Sequence, residues 1–154
     1  MAIAAGAPAS ATEVIAAIGT SASDVQNTVG TITATGYTPT LTGGTAAGVA
    51  FVAPTSGIVV IHFVALMAHS LSTGFTYTTP EVKTGTTIGS GTVVMAADDS
   101  NSIDNFGTSQ IRYGASVYLS GLTAGSSYNV RLVHKIVVAG TGTISRKSLI
   151  VMPT

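Results

Sequence analysis

The stretch from Gly57 to His69 is the feature that most constrains how this chain can fold, because it is apolar on both of the faces that a β-strand would present. One face would carry Ile58, Val60, Val64 and Leu66. The other face would carry Val59, Ile61, Phe63 and Met67. A strand with one solvated face should alternate apolar and polar residues. The core of the fold can cover one face, so we expect another subunit or another layer to cover the second.

A helix over the same residues is the alternative, since the periodicity of a short apolar run does not distinguish the two. The β-branched run of residues 58–61, with Val64 after it, favours a strand. Turn signals on both sides, Pro54 and Gly57 before the run and residues 70–74 after it, favour the same conclusion. The run is also shorter than the about 20 apolar residues of a membrane span. We therefore predict a β-strand.

Leaving one face of this strand in water would be costly. Full burial of a large apolar side chain gains roughly 1.5–3 kcal/mol, so four such side chains gain roughly 6–10 kcal/mol. That sum is comparable with the whole stability of a typical domain, and an exposed patch of this kind usually marks an interface. We predict an interface between subunits of a homo-oligomer, formed by Val59, Ile61, Phe63 and Met67.

The composition indicates an assembled β-rich protein rather than a free enzyme. The 154 residues suit one domain with an additional arm, and the absence of cysteine excludes disulfides and thiolate metal sites. Charged residues make up 8% of the chain, against about 25% in soluble domains. No lysine or arginine precedes Lys83, and the basic grouping of Arg131, Lys135, Arg146 and Lys147 is small. Nucleic-acid binding is therefore not expected.

The first 44 residues are predicted to form a docking arm, and residues 45–154 a β-sandwich domain. Ser10 and Glu13 have the spacing of a capping box, which predicts a short helix over residues 11–18. Two helical turns are marginal alone, so the helix should dock through its apolar stripe of Val14, Ile15 and Ile18. A weaker capping pattern leaves a second helical turn open at residues 23–26.

Short strands with turn signals between them predict the sandwich. Eight or nine such strands follow from Thr31 onwards, which is typical of an all-β sandwich. Two of them are expected at residues 110–113 and 117–119, on either side of Gly114. In residues 121–128 a leucine and a glycine turn precede Tyr128, which matches a tyrosine corner whose hydroxyl bonds to upstream backbone.

The residues that could carry chemistry do not form a recognisable site. His62 and His69 would lie on opposite faces of one strand, and with His134 they are interpreted as hydrogen-bonded core or interface residues. Residues 98–104, from Asp98 to Asp104, alternate oxygen donors as calcium loops do, but lack the glycine and the final glutamate, where Ser109 stands. This run is interpreted as an exposed polar loop, and a structural calcium ion stays open. No nucleophile elbow or phosphate loop occurs, so we predict a protein that is not an enzyme and has no cofactor.

Three stretches of the sequence resemble known protein families. Residues 51–57, Phe-Val-Ala-Pro-Thr-Ser-Gly, resemble the opening of trimeric jelly-roll heads of the complement and tumour-necrosis-factor type. This implies a jelly-roll-like β-sandwich whose next strand packs into the subunit core and toward a threefold axis. Residues 121–128 and 140–153 are similar to small structural proteins of tailed bacteriophages, found as minor tail or head-decoration proteins. Residues 121–131 also resemble a fibronectin type III module, whose core tryptophan is absent here.

These resemblances imply a bacteriophage virion structural protein that forms a homotrimer through Val59, Ile61, Phe63 and Met67. The arm would attach to a major capsid or tail protein through Val14, Ile15 and Ile18. The protein would then sit on the surface of the phage particle and decorate and stabilise the capsid, without nucleic acid, membrane or cofactor as partner. Two alternatives stay open: a minor tail or fibre-tip protein in host recognition, and a carbohydrate-binding module.

Overall fold

The computed structural model describes Ser10 and residues 20–154. This part of the chain forms ten β-strands and one turn of 3-10 helix, η1 (Asp99–Asn101). The strands are β1 (Ala22–Gln26), β2 (Gly30–Ile32), β3 (Gly48–Val52), β4 (Val59–His69), β5 (Phe75–Thr84), β6 (Val93–Met95), β7 (Ile103–Phe106), β8 (Ile111–Leu119), β9 (Ser127–Val137) and β10 (Gly142–Pro153).

The strands form two antiparallel sheets that pack face to face. Sheet A has the order β1-β10-β4-β8, with β2 also paired to β10. Sheet B has the order β3-β9-β5-β6, with β7 also paired to β5. Strands that are far apart in the chain lie side by side, as in a jelly roll, so the predicted all-β sandwich is confirmed.

The apolar stretch after Gly57 is the strand β4, at the centre of sheet A between β10 and β8. Its fully buried side chains point into the space between the sheets: Val59, Ile61, Phe63 and Met67 are each exposed by 1% or less. These four residues therefore form the core of a single subunit. The prediction that they form the subunit interface is corrected, because sheet B of the same chain already covers their face.

The sandwich begins earlier in the chain than the sequence indicated. Strand β1 pairs with β10 along its whole length, and the carboxylate Oδ2 of Asp24 accepts a hydrogen bond from the Gly48 backbone N–H at 2.9 Å. Ile32 and Leu41 lie in the core. The predicted boundary between residues 44 and 45 is therefore corrected: β1 and β2 belong to the sandwich.

The N-terminal predictions divide between described and undescribed residues. Residues 23–26, left open as a helical turn, are part of the strand β1, because their backbone groups pair with β10. The predicted helix over residues 11–18 lies outside the described residues, and so do its docking residues Val14, Ile15 and Ile18.

Two local predictions have different outcomes. The tyrosine corner is confirmed, because the Thr123 backbone N–H donates to the Tyr128 hydroxyl at 3.0 Å. The two short strands expected around Gly114 are instead the single strand β8. Gly114 lies directly opposite Val64 of β4, and a Cβ there would approach Val64 Cγ2 to 2.9 Å. The glycine permits close packing of two strands and does not form a turn.

His134 is the buried titratable group of the core. Its Nδ1 lies 2.9 Å from Thr78 Oγ1, whose hydroxyl donates to Met67 Sδ at 3.2 Å. Its Nε2 has no hydrogen-bond partner within the described part of the chain. A charged ring would bury a second N–H without an acceptor. Burial, with a smaller effect from the positive charge of Lys147, accordingly lowers the pKa of His134 to about 3.

We therefore expect the free energy of unfolding to depend on pH through His134. In the unfolded chain the His134 ring has a pKa near 6.5, whereas in the folded chain it is protonated only near pH 3. Between these two pH values the unfolded chain therefore binds one proton more than the folded chain. Stability is complete above pH 6.5 and falls with acidification by up to about 1.4 kcal/mol per pH unit. Chemical denaturation between pH 7 and 4.5 measures the slope, and His134→Gln should flatten it. An equal slope in the variant would show that other titratable groups cause the pH dependence.

Candidate functional site

In the described part of the chain, the outer face of sheet A presents an apolar surface along its central strand, β4. Strand β4 contributes Val60, His62, Val64 and Leu66 to it, and all four are half-buried. Residues that lie directly opposite each other in an antiparallel ladder point to the same face. The register therefore identifies the side chains that surround this central row.

The neighbouring strands extend the apolar surface on both sides. On β10, Met152 and Ile150 lie opposite Val60 and His62. On β8, Tyr118 lies opposite Val60, and its side chain is 63% exposed. On β1, at the far side of β10, the outward Val25 is 60% exposed. We call the set the sheet A face, and define it as Val25, Val60, His62, Val64, Leu66, Tyr118, Ile150 and Met152.

Charge is distributed unevenly between the two outer faces. Among the described residues, the outward rows of β1, β4, β8 and β10 contain no carboxylate, and Arg112 lies opposite Leu66. On sheet B, Arg131 Nε lies 2.7 Å from Glu81 Oε2, and Lys135 Nζ lies 2.6 Å from Asp99 Oδ1. Cores of protein interfaces are depleted of charge, so the sheet A face has the charge composition of an interface core.

Two further features of the sheet A face suit contact with another protein. His62 Nδ1 and Ser116 Oγ lie 3.0 Å apart, so this polar pair can be covered without losing its hydrogen bond. Strand β8 is nine residues long and forms the edge of sheet A. A long edge strand leaves a row of backbone groups unpaired, and proteins usually cover such an edge.

The basic residues grouped by the sequence do not form one patch. Arg131 and Lys135 lie on sheet B in the ion pairs described above. Lys147 is completely buried in the β-bulge of β10, and its Nζ donates to the Thr28 backbone oxygen at 3.1 Å. Burial lowers the pKa of Lys147. Arg146 occupies the same bulge with a positive φ of 46°.

His62 and His69 lie on opposite faces of β4, as the sequence predicted. His62 faces outward on sheet A, whereas His69 is buried on the opposite face of β4. The Leu71 backbone N–H donates to His69 Nδ1 at 3.0 Å. Within residues 20–154 and Ser10, no group of three or more histidine and carboxylate side chains is placed to hold a metal ion.

The carboxylates of the polar loop have separate structural partners. Asp98 caps η1 by accepting hydrogen bonds from the Ser100 hydroxyl and from the Ser100 backbone N–H, the latter at 2.8 Å, and these lower the pKa of Asp98. Asp99 accepts hydrogen bonds from Lys135 and from the Tyr37 hydroxyl, and these lower its pKa. Asp104 lies on β7, opposite Tyr77. These contacts hold the loop against the rest of the described chain. Its carboxylates do not converge on a common set of oxygen ligands for a calcium ion.

An aromatic cluster on sheet B is the feature that sequence reasoning missed. The Phe75 ring centroid lies 4.7 Å from that of Phe106 and 5.9 Å from that of Tyr77. Lys135 Nζ lies 4.7 Å from the centroid of Tyr37 and 5.1 Å from that of Tyr77. The alternation of Phe75 and Tyr77 along one strand was a visible signal, but only the sheet pairing brings the other two rings to them.

Comparison with known proteins supports the fold and no more than the fold. No protein-family model matches the chain, and no curated protein sequence matches it. A solved tumour-necrosis-factor protein, Eiger from S. frugiperda, is similar with a TM-score of 0.51 at 7% identity, over 88% of this chain and 92% of that one. The enzymatically active domain of tailspike protein 4 from bacteriophage CBA120 has a TM-score of 0.37 at 15% identity, over 90% of this chain and 20% of that one.

The class that these observations define is a β-sandwich with a fold like that of tumour necrosis factor. The second likeness has too low a TM-score to support an argument. In the described residues, no helix is long and apolar enough to cross a bilayer.

Proposed function

We propose that this chain is a non-enzymatic structural subunit of a bacteriophage virion, which forms a homotrimer through the sheet A face. The observation that carries the proposal is the apolar, carboxylate-free outer face around β4, next to the long edge strand β8. The resemblance of residues 51–57 to trimeric jelly-roll heads supports threefold symmetry. The interface assigned to β4 thus moves from its inward row to its outward row.

The energetic reason for trimer formation is that the outward row of β4 is only partly buried in a single chain. Val60, Val64 and Leu66 are half-buried in the single chain, and complete burial would add part of the roughly 1.5–3 kcal/mol that a large apolar side chain gains. Val25 and Tyr118, at the two sides of the sheet, are mostly exposed and would gain more. Surfaces of this kind mark interaction sites.

The virion role is supported by the sequence. Residues 121–128 and 140–153 are similar to small structural proteins of tailed phages, and sparse charge suits a protein whose surface is covered in an assembly. Within that class we propose decoration and stabilisation of the capsid surface, with attachment to the major capsid or tail protein through Val14, Ile15 and Ile18. A minor tail or fibre-tip role in host recognition is the second candidate.

Light scattering of the purified chain tests the trimer. We expect three times the 15.3 kDa mass of one chain. Val64→Asp and Val25→Asp each place a carboxylate on the sheet A face and should reduce the mass to that of a monomer, because burial in the contact would remove the hydration of the new charge. The matched control is Val93→Asp, since Val93 is 50% exposed on sheet B, and it should leave the mass unchanged.

The outcome that contradicts the trimer is a monomer at every concentration, or a trimer that persists in both sheet A variants. Val25→Asp guards against a trivial loss of folding in Val64→Asp, because Val25 is mostly exposed on a short edge strand. Circular dichroism of each variant verifies that the sandwich is intact.

Attachment is tested by shortening the N-terminus. Deleting residues 2–19 leaves β1 in place and should abolish incorporation into phage particles while the trimer persists. The deletion must end before Ala22, because β1 is part of sheet A. Normal incorporation of the shortened chain, measured by gel analysis of purified particles, would contradict the docking role of Val14, Ile15 and Ile18.

A further inference from the structure

The outer face of sheet B carries aromatic rings in a row that the strand register fixes. Phe75 of β5 lies directly opposite Phe106 of β7, and the next outward residue, Tyr77, lies opposite Asp104. The planes of Phe75 and Phe106 are tilted by 48° at 4.7 Å between centroids. Phe106 is 55% exposed, so an aromatic surface faces solvent. We call Phe75, Tyr77 and Phe106 the aromatic platform.

One end of the aromatic platform is held rigidly by polar contacts. Lys135 Nζ lies 5.1 Å from the ring centroid of Tyr77 and 2.6 Å from Asp99 Oδ1. The hydroxyl of Tyr37 donates to the same Asp99 oxygen at 2.9 Å. Burial and the hydrogen bond to Asp99 raise the pKa of Tyr37, so its hydroxyl stays protonated and the contact persists. A platform fixed in this way loses little conformational entropy when a ligand binds.

An open groove adjoins the aromatic platform on the side of β8. Its volume is about 400 Å³, within the range of ligand sites in proteins. The residues that line it are Ser102, Ile103, Asp104, Tyr113 and Gly114. Asp104 is exposed, lines this groove and lies opposite Tyr77, so it belongs both to the groove and to the row of the aromatic platform.

We propose that the aromatic platform and this groove together form a binding site for a neutral oligosaccharide. The face of an aromatic ring is the negative part of its quadrupole, and it attracts the polarised C–H groups on one face of a sugar ring. Sugar hydroxyls can donate charge-assisted hydrogen bonds to Asp104, and the hydroxyls of Ser102 and Tyr113 add neutral ones. The groove and platform meet at Asp104, which suits a chain of several sugars.

The charges next to the aromatic platform select against acidic sugars. Asp99 and Asp104 contribute two negative charges, and Lys135 contributes one positive charge that Asp99 already neutralises. The exposed carboxylate that remains would repel a uronic or sialic acid, whereas a neutral sugar can donate to it. The site therefore fits hexoses and N-acetylhexosamines better than their acidic relatives.

A protein partner fits this face less well than an oligosaccharide. Stable protein interfaces bury about 1,200–2,000 Å² in total, and a contact of that size here would also cover the ion pairs of Glu81 with Arg131 and of Asp99 with Lys135. Covering ion pairs removes their hydration, at a cost that often exceeds their attraction. A slender ligand contacts the aromatic platform and the groove and leaves the exposed part of these ion pairs hydrated.

The test is a titration of the intact chain with three neutral hexasaccharides: cellohexaose, mannohexaose and chitohexaose. Saturation-transfer difference NMR detects contact with the ring protons, and titration gives the affinity. We expect at least one of them to bind with a dissociation constant of about 1 mM, which is typical of an open site. Phe106→Ala and Asp104→Asn should each weaken binding at least about tenfold.

The matched control is Val52→Ala, which removes an apolar side chain of similar exposure from β3 of the same sheet and should leave the affinity unchanged. No binding of any of the three at about 10 mM, or equal losses in Phe106→Ala and Val52→Ala, would overturn the proposal. A change of oligomer mass in Phe106→Ala would assign the platform to a second copy instead. Sugar binding does not depend on the trimer, so each proposal can fail alone.

Discussion

Replacing Phe63 with alanine is expected to lower the free energy of unfolding by about 3–5 kcal/mol, because the change leaves a cavity at the centre of the core. Phe63 lies in the middle of β4 with no exposed surface. Sheet A pairs β4 with a strand on each side, so the surrounding backbone has little freedom to collapse into the space. Urea denaturation with an unchanged m-value would verify that the loss is one of stability.

The control for this prediction is the next residue in the chain. Val64 points to the outer face of the same strand and is only half-buried, so Val64→Ala should cost less stability, about 1 kcal/mol, in chains held as monomers by Val25→Asp. A larger loss of stability in Phe63→Ala than in Val64→Ala would show that the inward row of β4 belongs to the core and the outward row does not. If Phe63→Ala changed the oligomer mass and left the stability of the subunit intact, the assignment of the inward row to the core would be wrong.

Asn129→Asp is expected to have the second large effect, a loss of about 3–5 kcal/mol at pH 7, similar to that of an uncompensated buried charge. Asn129 is fully buried, and its Oδ1 accepts from the Gly89 backbone N–H at 2.8 Å. Its Nδ2 faces a ring of backbone oxygens at 3.1–3.5 Å, which belong to Lys83, Thr84, Gly85 and Ser90.

The physical reason is the loss of donors. An aspartate has the shape of an asparagine, but it accepts hydrogen bonds only, so its carboxylate would face backbone oxygens with no proton between them. Protonation restores one donor, so the destabilisation should shrink as the pH falls through the raised pKa of the new carboxyl. Chemical denaturation at pH 7 and pH 4 measures the difference in each protein.

The loop that Asn129 holds supplies a local readout. Hydrogen exchange should accelerate in residues 85–92 of the variant, because the side chain connects this loop to β9. Asn27→Asp makes the same change at an exposed position between β1 and β2 and should alter stability by less than about 0.5 kcal/mol. Equal stability of Asn129→Asp and Asn27→Asp at pH 7 would show that the buried amide is not needed as a donor.

The sequence predicted the elements whose cause is local. Its β-branched run after Gly57 identifies β4, because such side chains have restricted χ1 angles and pack well on a pleated, half-buried surface. The leucine, glycine turn and tyrosine of residues 121–128 identified the corner at Tyr128, whose hydrogen bond spans five residues. Neither prediction needed a partner from a distant part of the chain.

The predictions that failed depended on distant pairing. Strand β1 is a strand because its backbone pairs with β10, more than a hundred residues later in the chain, and a short capping pattern gives no sign of that partner. The aromatic platform has the same origin, since Phe75 and Phe106 become neighbours only through the pairing of β5 with β7.

By itself, the sequence determined that β4 has two apolar faces, and it predicted that both are covered. It could not determine which face is the inner one, because a period of two produces two equivalent rows when both are apolar. Only the tertiary structure distinguished them. Sheet B packs against the row of Phe63 and leaves the row of Val64 on the outside, where the described residues place no further layer over it.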